Sequence, residues 1–231
     1  MSEYIGIIGA MDSEVNGLIA KIEDCKCERV GGIDFYSGKI GKKLVVVSRC
    51  GVGKVFAAMC AQAMIIKYAP RLIINSGVGG ALADGLKCTD IVVATRLVQH
   101  DMDTSAIGDP KGLVSGINKV YFDSDERAAG ILMSAAETAG IRARTGVIAS
   151  GDIFVADKLL KDRIKADFGA AVCEMEGAAI AQVAYVNSTP FAVVRAISDN
   201  ADGDSPMSFT EFLAEAVKSS ERLTAALVEA Y

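Results

Sequence analysis

The sequence contains one histidine, His100, and no tryptophan among its 231 residues. Ser-His-Asp or Cys-His catalysis would therefore have a single possible base, and no nucleophile motif accompanies it. The run His100–Asp103 offers metal ligands, but nothing else in the chain supplies a matching cluster, so we expect neither a metal nor a cofactor. The six cysteines lack Cys-x-x-Cys spacing and several lie in apolar contexts, which is typical of reduced thiols.

Positive charge and long apolar runs are also scarce. The net charge of −5 argues against a nucleic-acid partner and leaves no basic patch for a membrane surface. Apolar runs such as Leu44–Val47 are far too short to span a bilayer. The first residues lack a basic segment followed by a long apolar one, so we expect no signal peptide. We predict a cytoplasmic protein without membrane or nucleic-acid partners.

Hydrophobic residues make up 51% of the chain, and short β-rich runs alternate with helical patterns. The predicted strands are Tyr4–Gly9, Phe35–Ile40, Leu44–Arg49, Arg71–Ser76, Ile91–Val98, Gly146–Ser150 and Phe191–Ile197. The predicted helices are Lys54–Ala69, Ser124–Ala139, Glu174–Val186 and a last helix after Ser208. This alternation predicts an α/β fold, a three-layer α/β/α sandwich with a mixed central sheet. With no linker or repeat, residues 1–231 are predicted to form a single domain.

Three segments carry more specific signals. Phe35–Ile40 and Leu44–Arg49 are predicted to form an antiparallel hairpin that turns at Gly41-Lys42. The sequence Ser208-Phe-Thr-Glu211 has the spacing of a capping box at a helix start. Residues Gln99–Lys119 show the least regular pattern, and unstructured loops of this length are usually functional or disordered.

Two glycine-rich turns fail as nucleotide motifs. Around Gly51-Val-Gly53-Lys54, Ser48 occupies the first glycine position of a phosphate-binding loop and Val55 replaces its Ser/Thr. The run Gly77–Gly80 lacks the second half of the dinucleotide fingerprint. Each turn alone is better explained as a strand end that needs positive φ.

Polar residues and glycines follow four of the predicted strands. In open α/β sheets, ligands bind at the carboxyl ends of strands, so these segments predict a small-molecule site at one edge. Taken singly, Glu14 is also explained by a helix dipole and Asp199 by a turn cap. The four segments are Gly9–Glu14, Asn75–Gly80, Ser150–Phe154 and Arg195–Asp199.

The stretch Ala171–Ala181, "AVCEMEGAAIA", places two carboxylates in an apolar segment predicted to be a core helix. A buried carboxylate is costly unless a partner pairs with it or hydrogen-bonds to it. We therefore expect Glu174 and Glu176 each to have a partner, either within the protein or in a ligand.

Six motifs together resemble the 5′-methylthioadenosine/S-adenosylhomocysteine nucleosidases of the purine nucleoside phosphorylase/uridine phosphorylase superfamily. The likeness spans about Ile5 to Val217 and is weakest around Gly108–Val120. It implies a nucleoside phosphorylase-like fold, a homodimer, and hydrolysis of the adenine–ribose bond to adenine and a thioribose. The motifs are "IGIIGAMDSEV", "GVGKVFAA", "INSGVGGAL", "SGDIF", "EMEGAAIAQVA" and "VVRAISDNAD".

The resemblance also implies residue roles. Glu14 would orient the attacking water, Asp199 would bind adenine N7 as general acid, and Glu176 would hold the ribose hydroxyls, leaving Glu174 to a structural partner. These roles suit a reaction that builds an oxocarbenium-like sugar, because it needs a protonated leaving base and a positioned water. The other implied substrate contacts are Met175 on the sugar, Phe154 stacked on adenine, Val155 through its backbone, Ser198 beside Asp199, and Phe209 at the alkylthio pocket.

The chain departs from the family pattern at two implied contacts. Val78 stands where the family usually has serine, and Ile107 stands where it usually has an aromatic residue. The loop after Ile107 is short, and in the family this loop completes the 5′ pocket of the neighbouring subunit.

Three other functions remain open from the sequence. A nucleosidase for another 5′-substituted adenosine, such as 5′-deoxyadenosine or aminodeoxyfutalosine, would use the same chemistry. A purine nucleoside phosphorylase would need arginines around a phosphate, whereas the first glycine turn carries acids. A nucleoside-sensing binding protein would need the base contacts but not the water-activating Glu14.

Overall fold

The structure, a computed structural model, describes residues 3–202 and 204–231. In these two ranges ten strands form one mixed sheet, ordered β10-β6-β8-β9-β5-β1-β4-β3-β2 with β7 beside β6. The strands are β1 Ile5–Gly9, β2 Glu23–Val30, β3 Ile33–Ile40, β4 Lys43–Arg49, β5 Leu72–Ala81, β6 Ile91–Gln99, β7 Phe122–Asp123, β8 Ala143–Ser150, β9 Ala170–Glu174 and β10 Phe191–Asp199. The helices are α1 Asp12–Ile19, α2 Lys54–Tyr68, α3 Glu126–Thr138, α4 Lys158–Phe168, α5 Gly177–Val186 and α6 Ser205–Ala230.

Helices cover both faces of the sheet. Helices α2 and α5 pack with one face through side chains such as Met64 and Ile180. Helices α1, α3 and α6 pack with the other face through Leu18, Leu132 and Leu227. This arrangement confirms the predicted three-layer α/β/α sandwich with a mixed sheet.

Half of the sheet curves until it closes. Strand β5 pairs in parallel with β10 and antiparallel with β9, so β10, β6, β8, β9 and β5 form a ring. Every residue of β5 and β10 is buried, which is typical of strands covered on both faces. Closure brings the ends of β5, β9 and β10 together, and that is where the predicted site residues lie.

The predicted hairpin is confirmed. Ile40 pairs with Lys43 across the two-residue turn, and β3 and β4 run antiparallel. The interval from His100 to Lys119 is irregular as predicted, with a 3₁₀ turn at Ser105–Ile107 and a single bridge between Val114 and Lys119.

Two predicted helix starts are wrong. Glu174 ends strand β9, and α5 begins only at Gly177. Small apolar residues such as those of Ala170–Glu174 fit a buried strand and a buried helix equally well, so periodicity could not separate them. Ser208–Glu211 lies inside α6, where the Ser208 N–H already donates to the Asp204 carbonyl at 3.2 Å.

Five elements escaped the sequence prediction: β2, β7, β9, α1 and α4. Strand β2 is an edge strand whose residues are almost all exposed and largely charged, so it lacks an apolar alternation. Helix α4 buries only Ile164 and Phe168 along its length. Its start is marked instead by Asp157, whose side chain accepts the Leu160 N–H at 2.8 Å.

Candidate active site

A cavity of about 190 Å³ opens where the strands β5 and β10 end and where the turns after β1 and β8 begin. Its lining includes all but one of the site residues predicted from the sequence. The side chains come from segments far apart in the chain, as expected for strand ends that meet at one edge. The predicted residues in the lining are Glu14, Val78, Phe154, Val155, Met175, Glu176, Ser198, Asp199 and Phe209.

Ile107 is the exception. It lies in the 3₁₀ turn Ser105–Ile107, is 81% exposed and does not line the cavity of its own chain. The sequence resemblance assigned this loop to the pocket of a neighbouring subunit, and that contact stays a prediction.

Glu14 is held by backbone donors at the start of α1. Its Oε2 accepts the N–H groups of Ala10 at 2.7 Å and Met11 at 3.0 Å, and its Oε1 accepts the Val78 N–H at 3.1 Å. A Cβ at position 77 would lie 2.5 Å from Oε1, so Gly77 permits this approach. Burial raises the pKa of the Glu14 carboxyl above its usual value, although the Arg195 charge and the three N–H donors oppose it.

Asp199 closes β10 and is 2% exposed. Its Oδ2 accepts the Ser198 hydroxyl at 2.9 Å, and its Oδ1 accepts the Ala201 N–H at 2.8 Å. Asp199 pairs in register with Gly80, where an added Cβ would lie 2.9 Å from Oδ1. The carboxyl is therefore fixed in direction at the cavity wall.

Glu176 lies between β9 and α5 with its carboxylate at the cavity. Its Oε1 accepts the Gly53 N–H at 2.9 Å, and its Oε2 is 3.9 Å from Arg195 Nη2. Burial and the neighbouring Glu174 charge raise the pKa of Glu176 to about 7, and Arg195 and the Gly53 N–H act against this rise. With a pKa in this range, both the protonated and the ionised form of Glu176 are populated near neutral pH.

Glu174 has the structural partner that we expected. It accepts hydrogen bonds from Arg195 and Ser150, and its Oε2 also accepts the N–H groups of Glu176 at 3.1 Å and Gly177 at 2.7 Å. Burial opposes the charge, but Arg195 and these donors outweigh it, so the pKa of Glu174 lies below its usual value. Glu174 therefore stays ionised as a buried ion pair.

Arg195 is the functional-site residue that the sequence analysis did not single out. It is 1% exposed and hydrogen-bonds Glu174 and the side chain of Asn75 beneath the cavity floor. An arginine inside the apolar strand "FAVVRAISD" was the available signal, because a buried charge requires a partner. Its positive charge attracts the carboxylates of Glu174, Glu176 and Glu14, and this attraction raises the pKa of Arg195.

The cavity lining carries carboxylates and no cation. Among the residues that the structure describes, no lysine or arginine lines it. A search of the same residues finds no group of three or more His, Cys, Asp and Glu side chains that could hold a metal ion. The charge pattern is therefore unsuited to an anion such as phosphate and suited to a site where positive charge develops.

Apolar side chains form the remaining walls. The rings of Phe154 and Phe209 meet edge to face, with centroids 5.6 Å apart and an interplanar angle of 87°. Such walls with a few polar groups are typical of small-molecule sites. Seven further lining residues lie within or next to the quoted motifs, although the sequence analysis gave them no individual role, namely Ala10, Met11, Val52, Gly79, Gly80, Ile153 and Cys173.

Comparison with known proteins places this geometry in a family. The family model described as "Phosphorylase superfamily" matches residues 4–230. The 5′-methylthioadenosine/S-adenosylhomocysteine nucleosidase of Shewanella pealeana is 38% identical over 226 residues, covering 97% of this chain and 98% of the relative.

Solved structures agree. The nucleosidase of the same name from Neisseria meningitidis, in complex with methylthio-immucillin-A, superposes with a TM-score of 0.96 at 35% identity and covers 99% of this chain and 100% of its own. The native structure of futalosine hydrolase of Helicobacter pylori superposes with a TM-score of 0.95 at 34% identity, covering 100% and 99%. The chain thus belongs to the 5′-methylthioadenosine/S-adenosylhomocysteine nucleosidase family of the phosphorylase superfamily.

Proposed function

We propose that this protein hydrolyses the N-glycosidic bond of 5′-methylthioadenosine and S-adenosylhomocysteine, releasing adenine and the thioribose. One observation carries the proposal: Glu14, Glu176 and Asp199 converge on a cavity whose described lining holds no cation. The named nucleosidases among its relatives support the substrate class. Neither a metal nor a cofactor has a part in this chemistry.

Asp199 serves as the general acid. Cleavage leaves electrons on the adenine, and a proton delivered to N7 lets the base depart as a neutral molecule. The contacts from the Ser198 hydroxyl and the Ala201 N–H fix the direction of the carboxyl. When N7 of the adenine faces Asp199, Phe154 stacks on the base and Val155 contacts it through its backbone.

Glu14 orients and deprotonates the attacking water. The N–H groups of Ala10, Met11 and Val78 fix both carboxylate oxygens, and the side chain still faces the cavity. Only the ionised form of Glu14 accepts the proton of water, so activity should fall in acid. The raised pKa of Glu14 moves this fall to higher pH than an ordinary glutamate would give. Val78 contributes its backbone here and an apolar side chain toward the sugar.

Glu176 binds the ribose hydroxyls, and Met175 packs on the sugar. Hydroxyl donors replace the water that burial removes from the carboxylate, which favours its ionised form. The negative charge also stabilises the sugar as it becomes cationic. The binding energy at this position is therefore largest in the transition state.

Hydrolysis is expected to need no phosphate. Adenine release from 5′-methylthioadenosine should proceed at its full rate in phosphate-free buffer and yield a free reducing sugar, because the carboxylates repel an anionic nucleophile. Liquid chromatography of the base, together with a reducing-sugar assay, measures both products. Formation of a sugar 1-phosphate when phosphate is added would identify a phosphorylase instead.

A second candidate substrate is aminodeoxyfutalosine, another 5′-substituted adenosine. The observation that favours it is the 0.95 TM-score to the futalosine hydrolase of Helicobacter pylori. The reacting atoms would be identical, so the choice depends on the 5′ end, near Phe209. Rates of adenine release from a panel of 5′-substituted adenosines distinguish the two.

The active unit is a homodimer in our proposal, each chain being one domain over residues 1–231. Helix α2 leaves a row of apolar side chains exposed, with Val55 at 70% and Ile66 at 76%. Tyr185 and Val186 of the adjacent α5 extend this surface. An apolar patch of this kind is typical of an interface between subunits. Ile107 and its loop would reach the partner's cavity.

Met59→Lys is expected to dissociate the dimer, because an unpaired charge would be buried in the centre of the α2 surface. Sedimentation velocity at micromolar concentration should then show a monomer with reduced activity. Leu159→Lys is the matched control, since Leu159 is a 76% exposed apolar residue on α4. A fully active wild-type monomer would contradict the proposal.

We further propose a cytoplasmic location. The six cysteines are free in the structure, which suits a reducing compartment. Among the described residues, no helix is long and apolar enough to cross a membrane.

A further inference from the structure

A ring of hydrogen bonds outside the cavity joins three turns of the sheet edge. Lys54 Nζ donates to Asp101 Oδ1 at 2.6 Å, and the Lys54 backbone N–H donates to Asp152 Oδ1 at 2.7 Å. The Asp152 N–H donates in turn to Asp101 Oδ2 at 2.9 Å. These residues follow β4, β6 and β8. The cavity lining described above includes none of the three.

The Lys54–Asp101 pair of the ring is partly sheltered from water, whereas Asp152 is exposed. The side chains of Lys54 and Asp101 are 18% and 20% exposed, and Lys54 Nζ also donates to Gln99 Oε1 at 3.1 Å. Burial opposes the Asp101 charge, but its Lys54 and Asp152 donors outweigh this, and the pKa of Asp101 lies below its usual value. A sheltered, doubly hydrogen-bonded pair of this kind holds its geometry better than an exposed one.

The ring determines the position of the peptide before Lys54. Gly53 has a φ of +102°, and an added Cβ would lie 3.0 Å from Asp152 Oδ1. The Gly53 N–H donates to Glu176 Oε1 at 2.9 Å. Within residues 3–202 and 204–231, this is the hydrogen bond that the structure gives the Glu176 carboxylate, since Arg195 Nη2 is 3.9 Å away.

We propose that Lys54, Asp101 and Asp152 are positioning residues that act through Gly53 to hold the Glu176 carboxylate at the sugar. The inference rests on the proposed function in one respect, the assignment of Glu176 to the ribose. Asp152 also leads directly into Phe154, which lines the same cavity. The ring therefore positions both the segment that contacts Glu176 at the sugar and the segment that leads to Phe154 at the base.

The titratable groups that face Glu176 come from β9, α1, β10 and the turn after β4. They make the pH dependence of kcat/KM a distinctive readout of the proposal. Glu174 on β9 and Glu14 on α1 favour its protonated form, Arg195 on β10 favours its ionised form, and the Cys50 thiol lies beside it after β4. The Gly53 N–H also favours the ionised form. The acidic limb of kcat/KM requires the ionised forms of both Glu14 and Glu176, so a loosened Gly53 peptide, which raises the pKa of Glu176, would move the contribution of Glu176 to this limb to higher pH.

The test compares Lys54→Met and Asp101→Asn with Lys165→Met. The control breaks a more exposed Lys–Asp pair outside the cavity lining, Lys165 Nζ of α4 to Asp84 Oδ1 at 2.8 Å. With 5′-methylthioadenosine, we expect both ring variants to lose roughly tenfold in kcat/KM, less than the ~10²–10³ of a deleted transition-state donor. Most of the loss should be a lower kcat, because the Glu176 contact is strongest in the transition state, and the acidic limb should shift to higher pH. The control should match wild type in rate and pH profile.

A double-mutant cycle separates action through Glu176 from a general structural role. In a Glu176→Gln background, Lys54→Met should cause almost no further loss. An equal loss in both backgrounds, or an unshifted acidic limb, would overturn the inference while leaving the proposed function intact. A wild-type protein that releases no adenine from any nucleoside would overturn the proposed function itself. If Lys54→Met lowers the melting temperature, the double-mutant cycle is measured with Asp101→Asn in its place.

Discussion

Asp199→Asn should release adenine from 5′-methylthioadenosine roughly 10²–10⁴-fold more slowly than the wild-type protein, the range that general acids contribute. Asparagine keeps the size of the side chain and an oxygen for the Ala201 N–H, which lies 2.8 Å from Asp199 Oδ1. It has no acidic proton to deliver to N7. The loss should fall on kcat, and the melting temperature should change little.

A leaving group that needs no proton isolates this role. With a nitrophenyl riboside, Asp199→Asn should recover much of its lost rate, because nitrophenolate departs unprotonated. Glu14→Gln should remain slow with the same substrate, because water activation is still required. Equal recovery in both variants, or in neither, would show that the acid and base roles are not divided between Asp199 and Glu14 in this way.

Glu176→Gln and Glu174→Gln should have opposite consequences although the two residues are separated only by Met175. Glu176→Gln removes the charge that faces the sugar and should cost about 2–4 kcal/mol in kcat/KM, the scale of one transition-state electrostatic contact. Steady-state kinetics of adenine release at pH 8 measures this loss. The fold should be retained, because the glutamine oxygen can still accept the Gly53 N–H.

Glu174→Gln should cost stability instead. The substitution leaves Arg195 as a buried charge without its carboxylate partner, and breaking a buried ion pair on one side costs roughly 3–5 kcal/mol. For a chain of this size, each kcal/mol lowers the melting temperature by about 2–4 °C. A differential scanning calorimetry trace should therefore shift downward by roughly 10 °C.

The pH dependence of stability distinguishes the two carboxyls further. The pKa of Glu176 is raised to about 7 by burial and by Glu174, so the folded state favours its protonated form. Its contribution to stability is therefore present below the ordinary glutamate pKa and lost as the pH rises through about 7. Glutamine does not ionise, so Glu176→Gln should avoid this loss of stability. The variant should therefore have a higher melting temperature than the wild-type protein at pH 8 without ligand.

For Glu174 the direction is reversed. Its pKa is lowered by Arg195 and its donors against the effect of burial, so its contribution is present above the ordinary glutamate pKa and lost only in acid. If Glu174→Gln abolished turnover without lowering the melting temperature, while Glu176→Gln was mild, the assignment of the pair would be reversed.

Much of the fold followed from local patterns. The buried strand β1 and the buried centre of β4 are short apolar runs, and α2 and α3 carry apolar residues at helical spacing, so the α/β sandwich was predictable. Edge strand β2 and helix α4 were not, because mostly polar segments carry little periodic signal. Ring closure through β5 and β10 depends on pairing between residues more than a hundred positions apart.

The sequence by itself determined the family, through six motifs in a fixed order, and with it nine of the residues that line the cavity. It did not identify the protein groups that give Glu174 and Glu176 their different charge states. That identification required the tertiary structure, because the partners of these carboxylates, Arg195 and Gly53, lie 21 and 123 positions away in the chain. The spacing of apolar residues along a chain predicts only local helices and strands. The charge state of a buried group depends instead on every neighbour that folding brings to it.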